Sequence, residues 1–224
     1  MDRSVLITGG TGGLGRAVVA AFAAGGWRVV VPDVAPAELE GAEVVAADLT
    51  DPNEAARVVE IAAAREAAPL RAVVNLVGGF AADQPVADTP VEVFEAQFTL
   101  NLRPTYLVTQ AALPALAAAG GGAIVCMSSR SALYPFGGAA GYCASKAAVL
   151  TFVQVVAREH AADGVRCNAV LPSMIDTPAN RAAMPPEQHA QLTPPAEIAA
   201  VIRFLCSDES APTTGAAIPV YGGP

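Results

Sequence analysis

The chain has 224 residues, of which 53% are hydrophobic and 15% are charged, and its formal net charge is −8. This length and composition predict one globular domain with a large core and exclude a disordered chain. The negative charge and the lack of any Lys/Arg run argue against a nucleic-acid partner.

The first predicted strand begins within five residues of Met1, which leaves no room for a signal peptide. No run of 18 apolar residues is free of Gly, Pro and charge, so no membrane span is expected. The cysteines Cys126, Cys143, Cys167 and Cys206 have no metal-binding spacing. We therefore expect reduced, mostly buried thiols, no metal site and a cytoplasmic protein.

A short apolar run at residues 4–8 predicts a buried strand, which leads into the glycine-rich segment 8–15 and a helix at 16–24. In this context glycines allow close backbone approach, and the helix N-terminus offers N–H groups to a pyrophosphate. The expected dinucleotide cradle comprises Gly9, Thr11, Gly12, Gly13, Leu14 and Gly15. The alternative is a glycine-rich turn without a ligand.

The second predicted strand, residues 28–31, is followed by Pro32 and Asp33. Asp33 lies eighteen residues after Gly15, close to where a dinucleotide site places its ribose-binding acid. A carboxylate there accepts hydrogen bonds from the ribose and repels a 2′-phosphate, and the glycine loop has no Arg or Lys. The pattern favours NAD over NADP, the alternative being a solvated aspartate.

Strands and helices alternate along the rest of the chain. The remaining predicted strands lie at residues 43–47, 72–75, 123–127, 165–171 and 216–221. The remaining predicted helices lie at 52–67, at 91–119 with a break or bend near Pro104 and Pro114, around Tyr142 to about 162, and at 195–206. Only fifteen residues separate Asp33 from Asp48, too few for a full crossover helix. We predict an α/β fold: a single-domain, doubly wound Rossmann fold whose mostly parallel seven-stranded sheet is flanked by helices.

Tyr142 and Lys146 lie four residues apart on one predicted helix, so they share a face. A lysine ammonium, together with a bound cationic ring, should lower the pKa of the tyrosine below its ordinary value of about 10. Such a phenol can act as a general acid or base near neutral pH. The same spacing also occurs on ordinary surface helices.

Together these motifs resemble the short-chain dehydrogenase/reductase family over essentially the whole chain. The matching positions are T-G-x-x-x-G-x-G at residues 8–15, Asp33, residues 48–50, Asn75, Asn101, Ser129 thirteen residues before Tyr142, Lys146, and residues 172–177. The resemblance implies an NAD(H)-dependent enzyme that interconverts a ketone or aldehyde and an alcohol, a carbonyl reductase that prefers NADH over NADPH.

The resemblance also implies a role for each residue. Tyr142 is the expected general acid or base, Ser129 the donor to the substrate oxygen, and Lys146 the ligand of the nicotinamide ribose. Asn101 is expected to hold a water that connects Lys146 to solvent. The further cofactor contacts are Asp48 and Leu49 at the adenine, Asn75 at the adenosine-ribose side, Thr177 at the carboxamide, and Pro172 and Ile175.

The chain also departs from the family pattern. Residues 75–78 read Asn-Leu-Val-Gly in place of Asn-Asn-Ala-Gly, and Pro172 is followed by Ser rather than Gly. Residues 77–80 and 171–185 resemble the dihydropteridine reductase branch, which makes NADH-dependent reduction of a quinonoid pterin the alternative function. Ser129 and Asn101 favour carbonyl chemistry over it. A second alternative is a non-catalytic NAD-sensing protein.

Several residues flank the predicted cleft and could shape substrate choice: Phe80, Arg130, Tyr134, Phe136, Met174, Arg181 and Met184. The two arginines could attract an anionic substrate or could be solvated surface residues. Residues 179–193 could form a short helix over the pocket. The helices around Asn101 and after Tyr142 are apolar on more than one face, which favours a homodimer, and the family resemblance implies a tetramer.

Overall fold

The computed structural model describes residues 1–35, 37–81 and 84–222. Seven parallel strands form one sheet in the order β3-β2-β1-β4-β5-β6-β7. The strands are β1 Ser4–Thr8, β2 Arg28–Asp33, β3 Ala42–Ala46, β4 Leu70–Asn75, β5 Gly122–Met127, β6 Val165–Pro172 and β7 Ala217–Val220. The strand order reverses between β1 and β4, and open sheets of this type form their ligand crevice at such a point.

The helices are α1 Gly13–Ala24, α2 Pro52–Ala63, α3 Val91–Asn101, α4 Arg103–Ala118, α5 Ala140–Glu159, α6 Pro178–Ala183 and α7 Pro195–Leu205. Single 3₁₀ turns cover Arg130–Ala132, Pro186–Gln191 and Asp208–Ser210. The predicted doubly wound fold is confirmed, and the sheet is wholly parallel.

Two hydrophobic clusters cover the two faces of the sheet. Val5 and Ile7 of β1 pack with α1 and α7 on one face, whereas Leu6 packs with α2, α4 and α5 on the other. This alternation follows from the two-residue period of a strand. Because both faces are covered, the central strands are apolar throughout, as the sequence indicated.

The connection between β2 and β3 is short, as predicted. Parallel strands ordinarily need a crossover of a dozen or more residues. Here β2 ends at Asp33 and β3 begins at Ala42, and residues 34, 35 and 37–41 contain no helix. The sheet edge beside β3 therefore lacks one covering helix.

The predicted long helix at 91–119 is two helices. Leu102 separates α3 from α4, and Pro104 lies in the first turn of α4, where its missing N–H costs nothing. Pro114 lies inside α4 and does not end it. The break places Asn101 at the C-terminal end of α3, next to α5.

Among the described residues, α5 is the one helix long and apolar enough to cross a membrane, with a mean hydropathy of 1.4 and 44% of that window buried. Core helices also meet this test, and Val149, Val153 and Val156 of α5 pack in the core beside the sheet. The four cysteines are free and buried, which confirms the expectation for the thiols.

Candidate active site

A cavity of about 990 Å³ opens beyond the carboxyl ends of β1, β4, β5 and β6. It brings together most of the residues predicted from the sequence: Gly9, Thr11, Gly12, Gly13, Leu14, Gly15, Phe80, Ser129, Arg130, Tyr134, Phe136, Tyr142, Lys146, Pro172, Met174, Ile175 and Met184. Sequence reasoning missed ten further lining residues: Leu76, Val77, Gly78, Gly79, Met127, Ser128, Ser131, Ser173, Asn180 and Ala183.

The glycine loop forms a tight backbone cradle at one end of this cavity. Gly9 has φ +67°, and a Cβ on Gly15 would lie 2.1 Å from the carbonyl oxygen of Gly9, so both positions need glycine. Gly12 caps α1 without a side-chain hydrogen bond, and the first turn of α1 has no acidic residue. The N–H groups of this helix end are therefore available to a phosphate.

Lys146 is the only lysine of the chain, and it is 4% exposed. Its Nζ donates to the carbonyl oxygen of Met127 at 3.2 Å, and the hydroxyl of Ser128 donates to the Lys146 carbonyl at 2.8 Å. Burial lowers the pKa of Lys146 to about 8. The ammonium is thus held at the floor of the cavity, close to its titration point at neutral pH.

Tyr142 lies one helical turn before Lys146, and its ring centroid is 6.0 Å from Nζ. Burial raises the pKa of the phenol above its ordinary value of 10.0, and hydrogen bonding with Ser129 offsets part of this rise. The expectation that Lys146 lowers this pKa is wrong for the protein chain, because Nζ is directed to Met127 and desolvation dominates. The contribution of a bound cationic ring remains a prediction.

Asn101, the last residue of α3, is fully buried and does not line the cavity, but its side chain connects α3 to α5. Its Oδ1 accepts from the Gly79 N–H at 3.0 Å, and its Nδ2 donates to the Ser145 hydroxyl at 3.2 Å. Ser145 in turn donates to the Tyr142 carbonyl at 2.8 Å. This chain of hydrogen bonds ties the segment after β4 to the backbone of the catalytic tyrosine candidate.

Gly78 shows how closely Asn101 and Lys146 approach each other. A Cβ at Gly78 would lie 2.6 Å from Asn101 Oδ1 and 3.0 Å from Lys146 Nζ. Glycine is therefore needed where the chain passes this close to both polar groups, and the proton relay through Asn101 remains a prediction. The sequence signal for Gly78 was limited to its place in the glycine pair after β4. The signal for Ser145 was limited to its position three residues after Tyr142.

Ser129 is buried at the start of the 3₁₀ turn that follows β5. Its Oγ accepts from the Ser131 N–H at 3.1 Å and lies 3.2 Å from the Ser131 hydroxyl. This cap fixes the serine at the cavity wall, beside Tyr142. The sequence-predicted set Ser129, Tyr142 and Lys146 is thus brought into one site.

Aromatic rings form the outer wall of the cavity. Phe80 contacts Tyr142 edge to face, with ring centroids 4.9 Å apart and an interplanar angle of 87°. Phe136 lies 6.3 Å from Phe80 between centroids. Residues Asn180, Ala183 and Met184 line the cavity, so the predicted helix over the pocket is present as α6.

Arg181 does not line the cavity, contrary to the prediction. Its guanidinium forms a two-point ion pair with Asp176, in which Nη2 lies 2.7 Å from Oδ2. Because its charge is already balanced, Arg181 is a poor candidate for attracting an anionic substrate.

The predicted adenine-binding residues lie outside the cavity lining, at the carboxyl ends of β2 and β3. Asp33 accepts from the Thr11 hydroxyl and from the Ala35 N–H, and these hydrogen bonds lower its pKa, Thr11 contributing most. Asp48 is exposed and accepts from the N–H and hydroxyl of Thr50. Leu49 is buried. Through Thr11, Asp33 reaches the glycine loop, and the adenosine contacts remain predictions.

The side chain of Asn75 faces α4 rather than the cavity, and a contact of this residue with the adenosine-ribose side of a cofactor remains a prediction. It is buried, and its Nδ2 donates to the Thr109 hydroxyl at 3.1 Å and to Cys126 Sγ at 3.7 Å. At the last position of β4 this side chain faces α4, because neighbouring residues of a strand face opposite sides of the sheet.

Thr177 also lies just outside the lining. Its hydroxyl caps α6 by accepting from the Asn180 N–H at 3.2 Å, and its methyl group lies 2.8 Å from where a Cβ on Gly13 would stand. The segment after β6 therefore packs directly on the glycine loop. The expected contact of Thr177 with a carboxamide remains a prediction.

Among the described residues, no group of three or more His, Cys, Asp or Glu side chains has a metal-binding arrangement. The residues that do converge can bind a pyrophosphate at the glycine loop and can hold a proton donor, a hydroxyl and an ammonium at the other end. This arrangement suits hydride transfer supported by a general acid or base.

Comparison with known proteins agrees with this chemistry. The family profile described as "short chain dehydrogenase" matches residues 3–188. The chain is 33% identical to (3R)-3-hydroxyacyl-CoA dehydrogenase of Mus musculus, covering 97% of this chain and 94% of that protein. It is 32% identical to 3-oxoacyl-[acyl-carrier-protein] reductase MabA of Mycobacterium tuberculosis, covering 100% and 93%.

Solved structures share the fold. A short-chain type dehydrogenase/reductase from Mycobacterium ulcerans has a TM-score of 0.91 and 28% identity, covering 100% of this chain and 90% of that one. ElxO, solved with NADP bound, also has a TM-score of 0.91, with 24% identity and coverage of 100% and 98%.

Proposed function

This chain belongs to the short-chain dehydrogenase/reductase family, and on that premise we propose that it is an NADH-dependent oxidoreductase that interconverts a ketone or aldehyde and an alcohol. One observation carries the proposal: Ser129, Tyr142 and Lys146 line the same cavity as the glycine loop. A cofactor bound at that loop would extend toward the three polar side chains.

The nicotinamide cofactor supplies the hydride. The chain supplies the remaining requirements. The glycine loop and the free N–H groups of α1 would hold the pyrophosphate, and Lys146 would bind the nicotinamide ribose. The serine hydroxyl of Ser129 would bind the substrate oxygen, and Tyr142 would donate a proton to it during reduction.

The raised pKa of Tyr142 suits a proton donor, because the phenol remains protonated at neutral pH. After it donates, its proton has to be replaced. The close approach of Asn101 Oδ1 and Lys146 Nζ to Gly78 supports a proton path that begins at Lys146 and involves both groups. A pKa of about 8 allows Lys146 to give up and regain a proton near physiological pH.

The preference for NADH rests on Asp33. Hydrogen bonds from Thr11 and Ala35 lower the pKa of its carboxyl, so the group is anionic at neutral pH. Asp33 stands at the end of β2, next to the glycine loop, where the adenosine ribose of a bound dinucleotide would lie. A negative charge there disfavours the additional phosphate of NADPH.

The aromatic wall supports a second candidate, reduction of a quinonoid pterin. Phe80 and Phe136 lie beside Tyr142 and could stack on a planar heterocycle. The buried Ser129 favours carbonyl substrates, so we rank the pterin second.

We also propose a homo-oligomer, with α3 and α5 contributing to its interface. Phe94 and Leu100 of α3 and Val155 of α5 are exposed although they are large and apolar, and the two helices pack side by side. Light scattering after size exclusion would test this, since a monomer at micromolar concentration would contradict it.

Free, buried thiols support a cytoplasmic location, which cell fractionation would test.

The function is tested by NADH oxidation at 340 nm with ketones, aldehydes, diketones, 3-oxoacyl thioesters and quinonoid dihydropterin, with NADPH in parallel. The proposal expects carbonyl turnover with NADH preferred. Turnover of the pterin alone would favour the second candidate. NADH binding without turnover of any substrate in this panel would contradict both.

A further inference from the structure

Arg130 lines the substrate end of the cavity immediately after Ser129. It begins the 3₁₀ turn that Ser129 caps, and its carbonyl oxygen accepts from the Tyr134 N–H at 2.9 Å. The turn therefore fixes the position of the arginine relative to the serine that is proposed to bind the substrate oxygen.

Two tyrosine rings hold the guanidinium of Arg130. Its Cζ lies 5.6 Å from the ring centroid of Tyr134 and 5.3 Å from that of Tyr221. Cation–π contacts at these distances restrain a guanidinium without using its N–H donors. An arginine presented in this way can offer two parallel donors to one carboxylate or phosphate.

The donors of Arg130 have no partner among residues 1–35, 37–81 and 84–222. Other arginines already have hydrogen-bond or ion-pair partners: Arg28 binds Glu43, Arg181 binds Asp176, and Arg166 donates to backbone carbonyls. Within the part of the chain that the structure describes, the cavity lining contains no aspartate or glutamate, and the other cation there, Lys146, is directed to Met127 at the floor.

The net charge of the chain makes a local cation in this cavity important for binding an anion. The chain carries a net charge of −8, which disfavours anions in general. An anionic substrate would therefore depend on a local positive charge within the site. Arg130 provides that charge at the substrate end of the cavity, next to the aromatic wall of Phe80 and Phe136.

We propose that the substrate is an oxo compound with an oxyanion group, a carboxylate or a phosphate, and that Arg130 binds this group while Ser129 and Tyr142 contact the carbonyl oxygen. The inference rests on the proposed function and adds the substrate class to it. Arg130 is then a specificity-determining residue rather than a catalytic one.

The test compares matched anionic and neutral substrates. Benzoylacetate is paired with its ethyl ester, and acetoacetyl-CoA with the N-acetylcysteamine thioester of acetoacetate. The first pair tests a carboxylate and the second the phosphates of a carrier. Wild-type enzyme should show kcat/KM at least about tenfold higher for the anionic member of one pair, and equal values in both pairs would overturn the proposal.

The variant Arg130→Gln should lose about 10- to 100-fold in kcat/KM for that anionic substrate, mainly through KM, and less than about threefold for its neutral partner. Arg130→Lys should fall between the two. Arg158→Gln is the control for net charge, because this exposed arginine lies about 24 Å from Tyr142 along α5 at 1.5 Å per residue. Equal losses on both substrates with Arg130→Gln would contradict the proposal.

A binding measurement separates this inference from the proposed function. Calorimetric titration of the NADH-bound protein with 3-phenylpropanoate, which has no carbonyl to reduce, should give a Kd at least about tenfold weaker in Arg130→Gln than in wild type. If no carbonyl is reduced but this difference holds, the function fails and the anion site stands. If carbonyls are reduced, the Kd values are equal and Arg130→Gln keeps the preference for the anionic member of each substrate pair, the anion site fails alone.

Discussion

The two halves of the cleft hold their polar groups in opposite ways. In the half built by β4, β5, β6, α3 and α5, Asn101, Ser145 and Lys146 are buried and hydrogen-bonded to residues distant in sequence. In the half built by β2 and β3, Asp33 and Asp48 lie near the surface, and most of their hydrogen bonds come from residues two positions away.

Under the proposed function, this difference would separate the residues that support turnover from those that select the cofactor. A buried network is held in place by many contacts, so the chain itself arranges the reacting groups before a ligand arrives. An exposed carboxylate is free to adapt and costs little to change. Substitutions in the first half should therefore alter turnover and stability together, whereas substitutions in the second should alter cofactor preference alone.

The largest effect is expected for Tyr142→Phe. Loss of the proton donor should lower kcat by about 10²- to 10⁴-fold, because general acid catalysis contributes that much. The ring contact with Phe80 is retained, so NADH affinity should change by less than about twofold. Steady-state kinetics and NADH fluorescence titration measure the two quantities.

Tyr134→Phe is the matched control, since it removes a hydroxyl from the same cavity outside the proposed proton path. Retained activity in Tyr142→Phe, or equal losses in both variants, would remove Tyr142 from its proposed role.

Lys146→Met should stabilise the fold while abolishing function. Burial lowers the pKa of Lys146 from 10.5 to about 8, so the unfolded chain binds more protons than the folded protein between these pH values. The cost of burying the charge, at most about 3 kcal/mol, is present in full below pH 8 and disappears as pH rises to 10.5.

Urea unfolding at pH 7 and at pH 10 tests this linkage. At pH 7 the unfolding free energy of Lys146→Met should exceed that of the wild type by about 2 kcal/mol, once the lost hydrogen bond to Met127 is subtracted. The gain should shrink at pH 10. A stability difference that does not depend on pH would show that the lysine is not desolvated as described.

The buried asparagines Asn101 and Asn75 distinguish a functional network from a structural one. Replacing either with alanine removes buried hydrogen bonds and should cost about 1–3 kcal/mol of unfolding free energy. Only Asn101→Ala should also lower kcat, by about tenfold or more, because only Asn101 is hydrogen-bonded through Ser145 to Tyr142 and lies with Lys146 against Gly78. Unfolding and kinetics on both variants check this, and equal kcat losses would contradict a purely structural role for the side chain of Asn75.

The smallest effect is expected for Asp33→Ala. Removing the carboxylate should shift the ratio of kcat/KM for NADH over NADPH by about tenfold toward NADPH, with little change in stability, because the half-buried charge is still largely screened by solvent. Glu66→Ala, which removes the same charge from an exposed position in the loop before β4, at the opposite edge of the sheet where the strands begin, is the control. An unchanged ratio in Asp33→Ala would exclude Asp33 from cofactor selection.

The local sequence pattern was sufficient to predict much of the fold and part of the candidate site. Apolar runs predicted all seven strands, since the strands of a covered parallel sheet carry apolar residues on both faces. The short link between Asp33 and Asp48 predicted that this connection has no full crossover helix. The four-residue spacing of Tyr142 and Lys146 predicted a shared helix face. Periodicity and chain length decide these features, so they can be read without knowing which residues meet.

The tertiary structure decided what each polar side chain contacts. Asn75 and Asn101 are both asparagines at the ends of apolar elements, yet one faces α4 and the other joins Gly79 to Ser145. Arg130 and Arg181 both flank the cleft in sequence, but of the two only Arg181 meets a carboxylate among the described residues. The raised pKa of Tyr142 and the lowered pKa of Lys146 follow from burial. Burial and partner geometry arise from long-range packing, which no local spacing encodes.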